Sequence, residues 1–367
     1  MSEPWVITIA LIAVALICYI VSSCLHKEEK TISYTLIAAG VTLILSGVPT
    51  FEELILGIVA NLLNFKLVAA EGEYWVRIIA GLALIVLGIA LVFKIKKRIY
   101  VLNMYGIAAK KSIDDPKSAK DLKLAEYKIK EQVVNFTPFF EGNAMTQKMN
   151  NSICEQINEE TKRFSAKASE QKESCFTGMA PIPYTVYAGT LLEEAKIYRY
   201  FEYNNKSNGG YYYELKKAKN KKGKTYPKLN LTFPEKPDTA AQEVVLAISI
   251  THNVRDEDVS QFNTDVVRLS LDKPEDNIIK FKQQLENYKS IIQNVLETEL
   301  TDTYPQLRVI HIAASIPSCM SIEIGKTIGL KTNRLKSIVV HHYMSSMDNP
   351  YTFGLYVNGD KKGQLYK

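Results

Sequence analysis

The 367-residue sequence predicts an α-helical membrane part followed by an α/β part made of two related halves. Three apolar runs between residues 5 and 93 are each about 20 residues long, which is the length a helix needs to cross a bilayer. Beyond residue 126, short apolar runs alternate with stretches of helical periodicity, which predicts an α/β architecture. The same order of elements occurs twice there, so we expect two repeated half-domains.

The first two membrane segments, Trp5–Leu25 and Ile32–Thr50, carry no charge, and the last, Tyr74–Phe93, carries only Arg77. Between them, Phe51–Ala70 is more polar but keeps an apolar face at helical spacing. This segment is compatible with an interfacial or re-entrant helix, or with a pore-lining fourth span. The residues that would line such a pore are Asn61, Asn64 and Lys66.

Basic residues predict the orientation of the spans, because cytoplasmic flanks are enriched in lysine and arginine. Four basic residues lie between Lys94 and Arg98, directly after the last span, and place the larger C-terminal part in the cytoplasm. Lys27 and Lys30 after the first span favour three spans with the N-terminus outside. Four spans with the N-terminus inside remain the alternative.

The sequence divides into residues 1–105, the membrane part, 106–126, a connector, and 127–367, the α/β part. The halves of the α/β part are expected at about 127–240 and 241–367. The last membrane helix is expected to continue over Lys94–Tyr105, and the connector is expected to be a polar tether. A strand over Val133–Phe140 and an amphipathic helix over Glu141–Lys172 then lead into the first repeat.

Each repeat has a strand, a turn of small residues, a proline at the start of a helix, and then two more strands. In the first repeat these are a strand at Cys175–Phe176, a helix from Pro181 to Gly189, and strands at Lys196–Asn204 and Gly210–Leu215. An apolar strand at Val244–Ile250 and a long helix at Pro274–Leu300 precede the second repeat. The repeat itself consists of a strand at Val309–Ile312, a helix from Pro317 to Leu330, and strands at Ser337–Met344 and Tyr351–Asn358.

Both strand–helix junctions contain small residues, which let the helix N-terminus approach an anion closely. Two such helix starts that face each other across a pseudo-twofold axis fit a ligand with phosphates arranged in a ring. A lysine run, Lys216–Lys228, is expected to be a solvated hairpin tip. Contact with anionic lipid or with a phosphate-rich ligand is the alternative for this run.

Polar residues follow the buried strand at Val244–Ile250, at the end where α/β sheets place ligands. The histidines His341 and His342 are adjacent on a predicted strand and should face opposite sides. The sequence contains no HExxH, CxxC, Walker A or GxSxG motif, so we expect neither a metal site nor an enzyme.

Three segments carry a resemblance to a known family: TGMAPIPYTVYAG (Thr177–Gly189), VVLAISITHNV (Val244–Val254) and IHIAASIPSCMSIEIG (Ile310–Gly325). They resemble the SAVED domain of bacterial antiphage effectors, over about residues 125–367. The resemblance implies two CARF-like, Rossmann-like halves that bind a cyclic oligonucleotide, a tri- or tetranucleotide, with no cofactor. The ligand would come from a CD-NTase of a CBASS operon or from a type III CRISPR complex.

The resemblance further implies that ligand binding drives homo-oligomerisation and that the membrane part then disrupts the bacterial inner membrane, which stops the infected cell. DNA is not an expected partner. A membrane-anchored ring nuclease is the alternative, with His252, Arg255 and His311 as the acid–base candidates. The residues expected at the ligand site, with Tyr203 as a base-stacking candidate, are Gly178, Met179, Ala180, Pro181, Pro183, Tyr184, Tyr203, Thr251, His252, Arg255, Ala314, Ser315, Pro317, Ser318 and Cys319.

Overall fold

The fold is taken from a computed structural model of the chain. It describes residues 29–47, 71–94, 97–106, 113, 122, 124, 127–140, 145–170, 174–192, 195–204, 210–217, 226–331 and 334–366. The chain divides into two compact units, residues 1–97 and 98–367, which are treated separately below. The predicted span Trp5–Leu25, the segment Phe51–Ala70 with its pore-lining candidates, and most of the lysine run lie outside the described residues.

The described residues of the first unit form two helices, α1 (Glu29–Gly47) and α2 (Glu71–Lys94), that pack against each other. A Cβ built on Gly40 would lie 2.6 Å from the carbonyl oxygen of Gly81, and one built on Gly81 would lie 2.6 Å from that of Gly40. Because no side chain fits into so short a distance, glycine at both positions lets the two backbones touch.

The outer surfaces of α1 and α2 expose large apolar side chains, such as Ile79 at 63% and Val86 at 64% of full exposure. Among the residues described, however, no helix combines the length and the apolar character that a membrane crossing requires. Helices therefore form where the sequence predicts them, but the structure does not support the prediction that they are membrane spans.

The second unit begins with a five-stranded sheet in the order β2-β1-β3-β4-β5. Strands β1, β3 and β4 are parallel, and β5 pairs antiparallel with β4. A single helical turn at Thr137–Phe140 and two longer helices, α3 and α4, accompany this sheet. The bounds are β1 Lys97–Tyr105, β2 Tyr127–Asn135, α3 Gln147–Glu170, β3 Ser174–Met179, α4 Ile182–Leu192, β4 Arg199–Asn204 and β5 Tyr211–Glu214.

The prediction that the last membrane helix continues to Tyr105 is wrong, because Lys97–Tyr105 forms β1. Its residues alternate between two buried clusters: Ile99 and Val101 face one, and Leu102 faces the other. A period of two is the pattern of a strand that is buried on both faces, and tertiary packing here decides against the helix.

Two further predictions around the first sheet need correction. The strand expected over Val133–Phe140 ends at Asn135, whose side chain accepts the backbone N–H of Thr137 at 2.9 Å and starts the helical turn. The connector is more than a tether, because Leu122 and Leu124 are buried against the first sheet.

The other sheet of this unit has seven strands in the order β12-β11-β10-β9-β7-β8-β6. Helix α5 runs on through a π-helical turn, Val295–Glu299, and a last α-helical turn, Leu300–Thr303. Short turns occupy Asp256–Val259 and Ser260–Phe262. The bounds are β6 Leu229–Thr232, β7 Glu243–Ser249, β8 Val266–Leu271, α5 Lys282–Asn294, β9 Val309–Ser315, α6 Ser318–Lys331, β10 Ser337–Tyr343, β11 Tyr351–Tyr356 and β12 Leu365–Tyr366.

The two repeated halves predicted from the sequence are confirmed by the strand pairing. In the first sheet β1, β3 and β4 are parallel neighbours and β5 returns antiparallel. In the second sheet β7, β9 and β10 are parallel neighbours and β11 returns antiparallel. Helix α4 follows β3 just as α6 follows β9, so the four-strand core and its helix occur twice.

The long helix begins at Lys282 rather than at the predicted Pro274. Asn277 has φ +59°, in the left-handed region, and Phe281 forms a β-bridge with Lys216. Hydrogen bonds from Lys216 N to Lys280 O at 2.9 Å and from Lys282 N to Lys216 O at 3.0 Å hold this stretch extended. Pairing with the first half therefore replaces the first turns of the expected helix.

Candidate functional site

The two halves meet where helix α4 packs against helix α6. Gly189 and Gly325, each the eighth residue of its helix, lie at the crossing. A Cβ built on either glycine would lie 2.8 Å from the Cα atom of the other. The repeat therefore supplies matching glycines that let equivalent helices make backbone contact, and this contact fixes where the two helix starts point.

The N-terminus of α6 is closed by a carboxylate from the other half. Glu202 of β4 is fully buried, and its Oε1 accepts the backbone N–H of Cys319 at 2.5 Å. Its carboxylate also accepts the N–H of Ser318, whose hydroxyl donates to Gly178 O at 2.7 Å. Burial raises the pKa of Glu202 to about 7, although these hydrogen bonds favour the charged form. The predicted anion position at Ser318 and Cys319 is thus filled from inside the protein.

The N-terminus of α4 faces a cavity of about 410 Å³, here called the cleft. Pro181 and Ile182 come from the first half, and the other walls are the ends of β7, β9 and β10 in the second half. Six residues predicted for the ligand site line the cleft: Pro181, Thr251, His252, Arg255, Ala314 and Ser315. Loops from both halves therefore share one cavity, but of the two helix starts predicted to face one ligand, only that of α4 lies at it, because Glu202 closes the start of α6.

Position His342 in β10 is the counterpart of Glu202 in β4. Glu202 pairs with Tyr213, the third residue of β5, and His342 pairs with Phe353, the third residue of β11. Burial lowers the pKa of His342 to about 4, so its imidazole is neutral at pH 7. The neutral imidazole of His342 beside the start of α4 therefore takes the position that the carboxyl group of Glu202 has at the start of α6.

Hydrogen bonds between loops shape the floor of the cleft. The backbone N–H groups of Ile250 and Thr251 both donate to Ser315 O at 3.0 Å, and the hydroxyls of Thr251 and Ser315 lie 2.8 Å apart. Ser249 Oγ accepts the N–H of Val254 at 3.0 Å and turns the loop after β7 back over the sheet. The loop is therefore tied to the ends of β7 and β9, with its hydroxyls at the cavity wall.

A pair of buried histidines lies under the cleft. His341 Nε2 is 3.0 Å from His311 Nδ1, and His311 Nε2 is 3.1 Å from Glu243 Oε2. Burial lowers the pKa of His341 to about 3 and also lowers that of His311. His341 faces His311 and Phe262 whereas His342 stacks near Phe353, so the two adjacent histidines do face opposite sides as predicted.

Several predicted site residues lie away from the cleft, in packed positions. Tyr184 is fully buried, stacks on Phe136 with centroids 5.5 Å apart, and donates its hydroxyl to Asn150 Oδ1 at 3.0 Å. Tyr203 packs edge-on against Tyr212 in the first sheet. Outside the cleft lining lie Gly178, Met179, Ala180, Pro183, Tyr184, Tyr203, Pro317, Ser318 and Cys319.

At the far wall of the cleft, sequence reasoning predicted Arg255 but missed Asp258, Tyr343 and Tyr351. Tyr343 ends β10 and Tyr351 begins β11, so the rule that ligands bind at the carboxyl ends of parallel strands would have indicated Tyr343. Asp258 lies on the helical turn after the β7 loop, where nothing in the sequence indicates that it is buried.

A larger cavity of about 1020 Å³ is lined by residues of β4 and β5 and by residues between positions 275 and 281 of the second half. Lys216 and Lys217 of the lysine run also line it, but none of the residues predicted for the ligand site does. Its charged groups include the ion pair of Arg199 Nη2 with Glu214 Oε2 at 2.8 Å. No cluster of three or more histidine, cysteine, aspartate or glutamate residues suited to a metal ion occurs in the described part of the chain. The cleft remains the candidate site because it lies at the carboxyl ends of the parallel strands β7, β9 and β10 and because six of the residues predicted for the ligand site line it.

A family model described as SAVED, an SMODS-associated sensor domain fused to various effectors, matches residues 157–357. No curated protein matches the chain. Among solved structures, the Acinetobacter baumannii Cap4 SAVED/CARF-domain containing receptor is similar in its complexes with the cyclic trinucleotides 2'3'3'-cAAA and 3'3'3'-cAAA. Identity is 12% in both cases, TM-scores are 0.45 and 0.44, and each match covers 78% of this chain and 56% of the receptor.

A third structure of the same receptor matches at 10% identity with a TM-score of 0.43 and covers 84% of this chain and 65% of the receptor. The chain therefore matches 56–65% of the length of these structures.

Proposed function

The chain belongs to the SAVED family of sensor domains, and from that premise we propose that its cleft binds a cyclic oligonucleotide second messenger in antiphage defence. One observation carries the proposal: loops from both half-domains build a single cavity at the strand ends, with the start of α4 facing into it. A ligand held there touches both halves at once. Its binding energy can therefore favour one arrangement of the halves over another.

Phosphate groups are expected near the start of α4 and beside the hydroxyls of Thr251 and Ser315. The first turn of a helix carries N–H groups that lack intrahelical partners and a partial positive charge, both of which favour a phosphate. In α4 the N–H of Ile182 is the one at the cleft wall, because Pro183 has no N–H and Thr185 N donates to Pro181 O at 3.1 Å. The two hydroxyls are hydrogen-bonded to each other at 2.8 Å, so one of them keeps its O–H to donate to a phosphate oxygen. The neutral His342 leaves this position without a carboxyl group of the kind that closes the start of α6.

We propose that the cleft binds its ligand without hydrolysing it. An effective general acid or base has a pKa near the working pH, but burial lowers the pKa of His341 to about 3 and that of His342 to about 4. Of the candidates in the ring-nuclease alternative, His311 donates toward Glu243 beneath the cleft and is not in its lining, whereas His252 and Arg255 do line it. Incubation of the protein with labelled ligand tests this point, and linear products would refute it.

The binding proposal is tested by thermal unfolding of the full chain in detergent with cyclic di-, tri- and tetranucleotides, including 2'3'3'-cAAA and 3'3'3'-cAAA. A ligand at 100 times its Kd stabilises the folded form by about 2.7 kcal/mol and raises Tm. Linear oligonucleotides of the same bases serve as the ligand control. If no cyclic compound raises Tm, the proposal is refuted.

A pair of matched threonine variants localises the binding. Thr251 and Thr301 are both half-buried, and each hydroxyl has a protein partner, Ser315 Oγ at 2.8 Å for Thr251 and Glu297 O at 3.1 Å for Thr301. Because only Thr251 lines the cleft, T251V should weaken binding about three- to tenfold and T301V should leave it unchanged. Equal affinities in the two variants would place the ligand elsewhere.

We also propose that the part of the chain before β1, residues 1–96, attaches it to the bacterial inner membrane with the sensor in the cytoplasm. Support comes from the uncharged runs Trp5–Leu25 and Ile32–Thr50 and from the exposed apolar side chains of α1 and α2. Ligand binding would assemble several copies and permeabilise the membrane, with the messenger supplied by a CD-NTase or a type III CRISPR complex. Recovery of the chain in the soluble fraction after carbonate extraction of membranes would refute the attachment. Dye release from liposomes with the binding ligand tests the permeabilisation.

A further inference from the structure

The far wall of the cleft is a fixed cluster, here called the arginine wall, of Arg255, Asp258, Tyr343 and Tyr351. Arg255 donates from Nε to Asp258 Oδ2 at 3.1 Å and from Nη2 to Asp258 Oδ1 at 2.8 Å. It also donates to the side chain of Tyr343. A bidentate pair holds the guanidinium plane in one orientation, while 62% of the arginine side chain stays exposed.

The tyrosines of the arginine wall are held in place as well. The rings of Tyr343 and Tyr351 meet edge to face with centroids 5.4 Å apart. Both backbone groups of Tyr351 bond to one side chain, because its N–H donates to Gln261 Oε1 at 3.1 Å and its carbonyl accepts Gln261 Nε2 at 3.0 Å. Tyr343 is 37% exposed and therefore offers ring surface to a ligand.

The charge balance of this wall does not suit a phosphate. Asp258 neutralises Arg255, and Glu257 Oε2 lies 4.0 Å from the same guanidinium. The remaining arginine nearby, Arg268, is paired with Asp256. Two arginines thus face three carboxylates, so a ligand phosphate would be repelled here. What remains is a planar N–H edge beside an exposed tyrosine ring, which is the combination that recognises a nucleobase.

We propose that the arginine wall reads a base of the cyclic oligonucleotide and prefers guanine to adenine at that position, with Asp258 as the positioning residue for Arg255. Guanine presents two acceptors, O6 and N7, to a guanidinium edge, whereas adenine replaces one of them by an amino donor. The base would also stack on the exposed ring of Tyr343. This inference rests on the proposed function, because it assigns part of the same cleft.

The test uses three cyclic trinucleotides of one linkage, tri-adenylate, tri-guanylate and tri-uridylate, which differ in base but not in phosphate number. Affinities of the full chain are measured at several salt concentrations. Wild type should bind tri-guanylate most tightly, and R255K should reduce its preference over tri-adenylate by about tenfold. The salt dependence should not change in R255K, because no phosphate contact is lost.

D258N separates a positioning role from a merely structural one. In D258N the partner carboxylate is neutral, so Arg255 becomes a free cation and the preference for guanine should fall. The slope of log Kd against log salt concentration should become steeper by about 0.7. R163K on α3 is the matched control, because Arg163 is equally exposed and paired with Glu159 and Glu160. It should change neither quantity.

Two results would overturn the inference: equal weakening of all three ligands in R255K together with a flatter salt dependence, or a wild-type preference for tri-adenylate. Failure of every cyclic trinucleotide, and of the wider panel above, to bind the wild type would instead refute the proposed function.

Discussion

The stability of the Glu202→Gln variant relative to wild type should be greater at pH 8 than at pH 5. The folded pKa of Glu202 is about 7, against 4.5 for an unperturbed glutamate, because the carboxyl group is fully buried. A raised carboxyl pKa stabilises the fold fully below pH 4.5, and this stabilisation is lost as the pH rises through 7. The difference of 2.5 pKa units corresponds to about 3 kcal/mol.

The E202Q side chain keeps an oxygen for the N–H of Cys319 but cannot ionise, so it does not undergo this loss. The free energy of unfolding of E202Q minus that of wild type should therefore rise by about 2.5 kcal/mol between pH 5 and pH 8, because part of the loss already occurs between pH 4.5 and pH 5. In thermal unfolding this difference is about 5 to 10 °C for a domain of this size. Far-UV circular dichroism in urea or on heating measures it. The comparison across pH cancels any constant cost of the amide, whose NH₂ group meets the second helix N–H.

The variant E155Q is the control, because Glu155 is exposed to water on α3. Its difference from wild type should be flat across the same range. The groups facing Glu202 are the thiol of Cys319 and the phenols of Tyr212 and Tyr213, and burial raises the pKa of each further above this range. A flat or falling difference for E202Q would show that Glu202 is not a buried, late-ionising carboxyl group, and the account of the α6 start would fail.

Three further stability predictions follow from packing, each measured by urea denaturation. G325A should cost about 3 kcal/mol, because the added Cβ meets the backbone of α4, and a loss below 0.5 kcal/mol would contradict the glycine contact. Y200F removes the hydroxyl that donates to the buried carboxylate of Glu323 at 2.5 Å and should cost about 2 kcal/mol; an unchanged stability would mean that the bond contributes nothing. L122N should cost about 3 kcal/mol, because Leu122 is 3% exposed, whereas L330N, at a leucine 54% exposed, should cost under 0.5 kcal/mol. Equal losses in the two leucine variants would show that the connector is not part of the core.

Hydrophobic periodicity and the repeat were enough to predict the paired half-domains, because strands β3, β4, β9 and β10 are short apolar runs between clear turn signals. Strand β1 was predicted as a helix because its sequence follows an apolar helix without a break, and only its burial between two clusters distinguishes it. Local pattern does not contain that information.

The sequence predicted only part of the site, again because a local pattern does not show how distant segments pack. The loops at Pro181, Thr251 and Ser315 follow strands directly, so their convergence could be inferred from topology alone. The closure of α6 by Glu202 could not, because it joins residues 117 positions apart and depends on the way the two halves dock. A sequence shows which helix starts exist, and only the packing decides which of them remain open.

The difference between Glu202 and His342 has a consequence for the response of a chain to its messenger. Of the two equivalent helix starts, that of α6 is bonded to Glu202 of the other half, and that of α4 faces a cavity. Within the described residues, a single molecule thus keeps one open helix start of this type. Under the proposed function, one polypeptide would bind one messenger at this position.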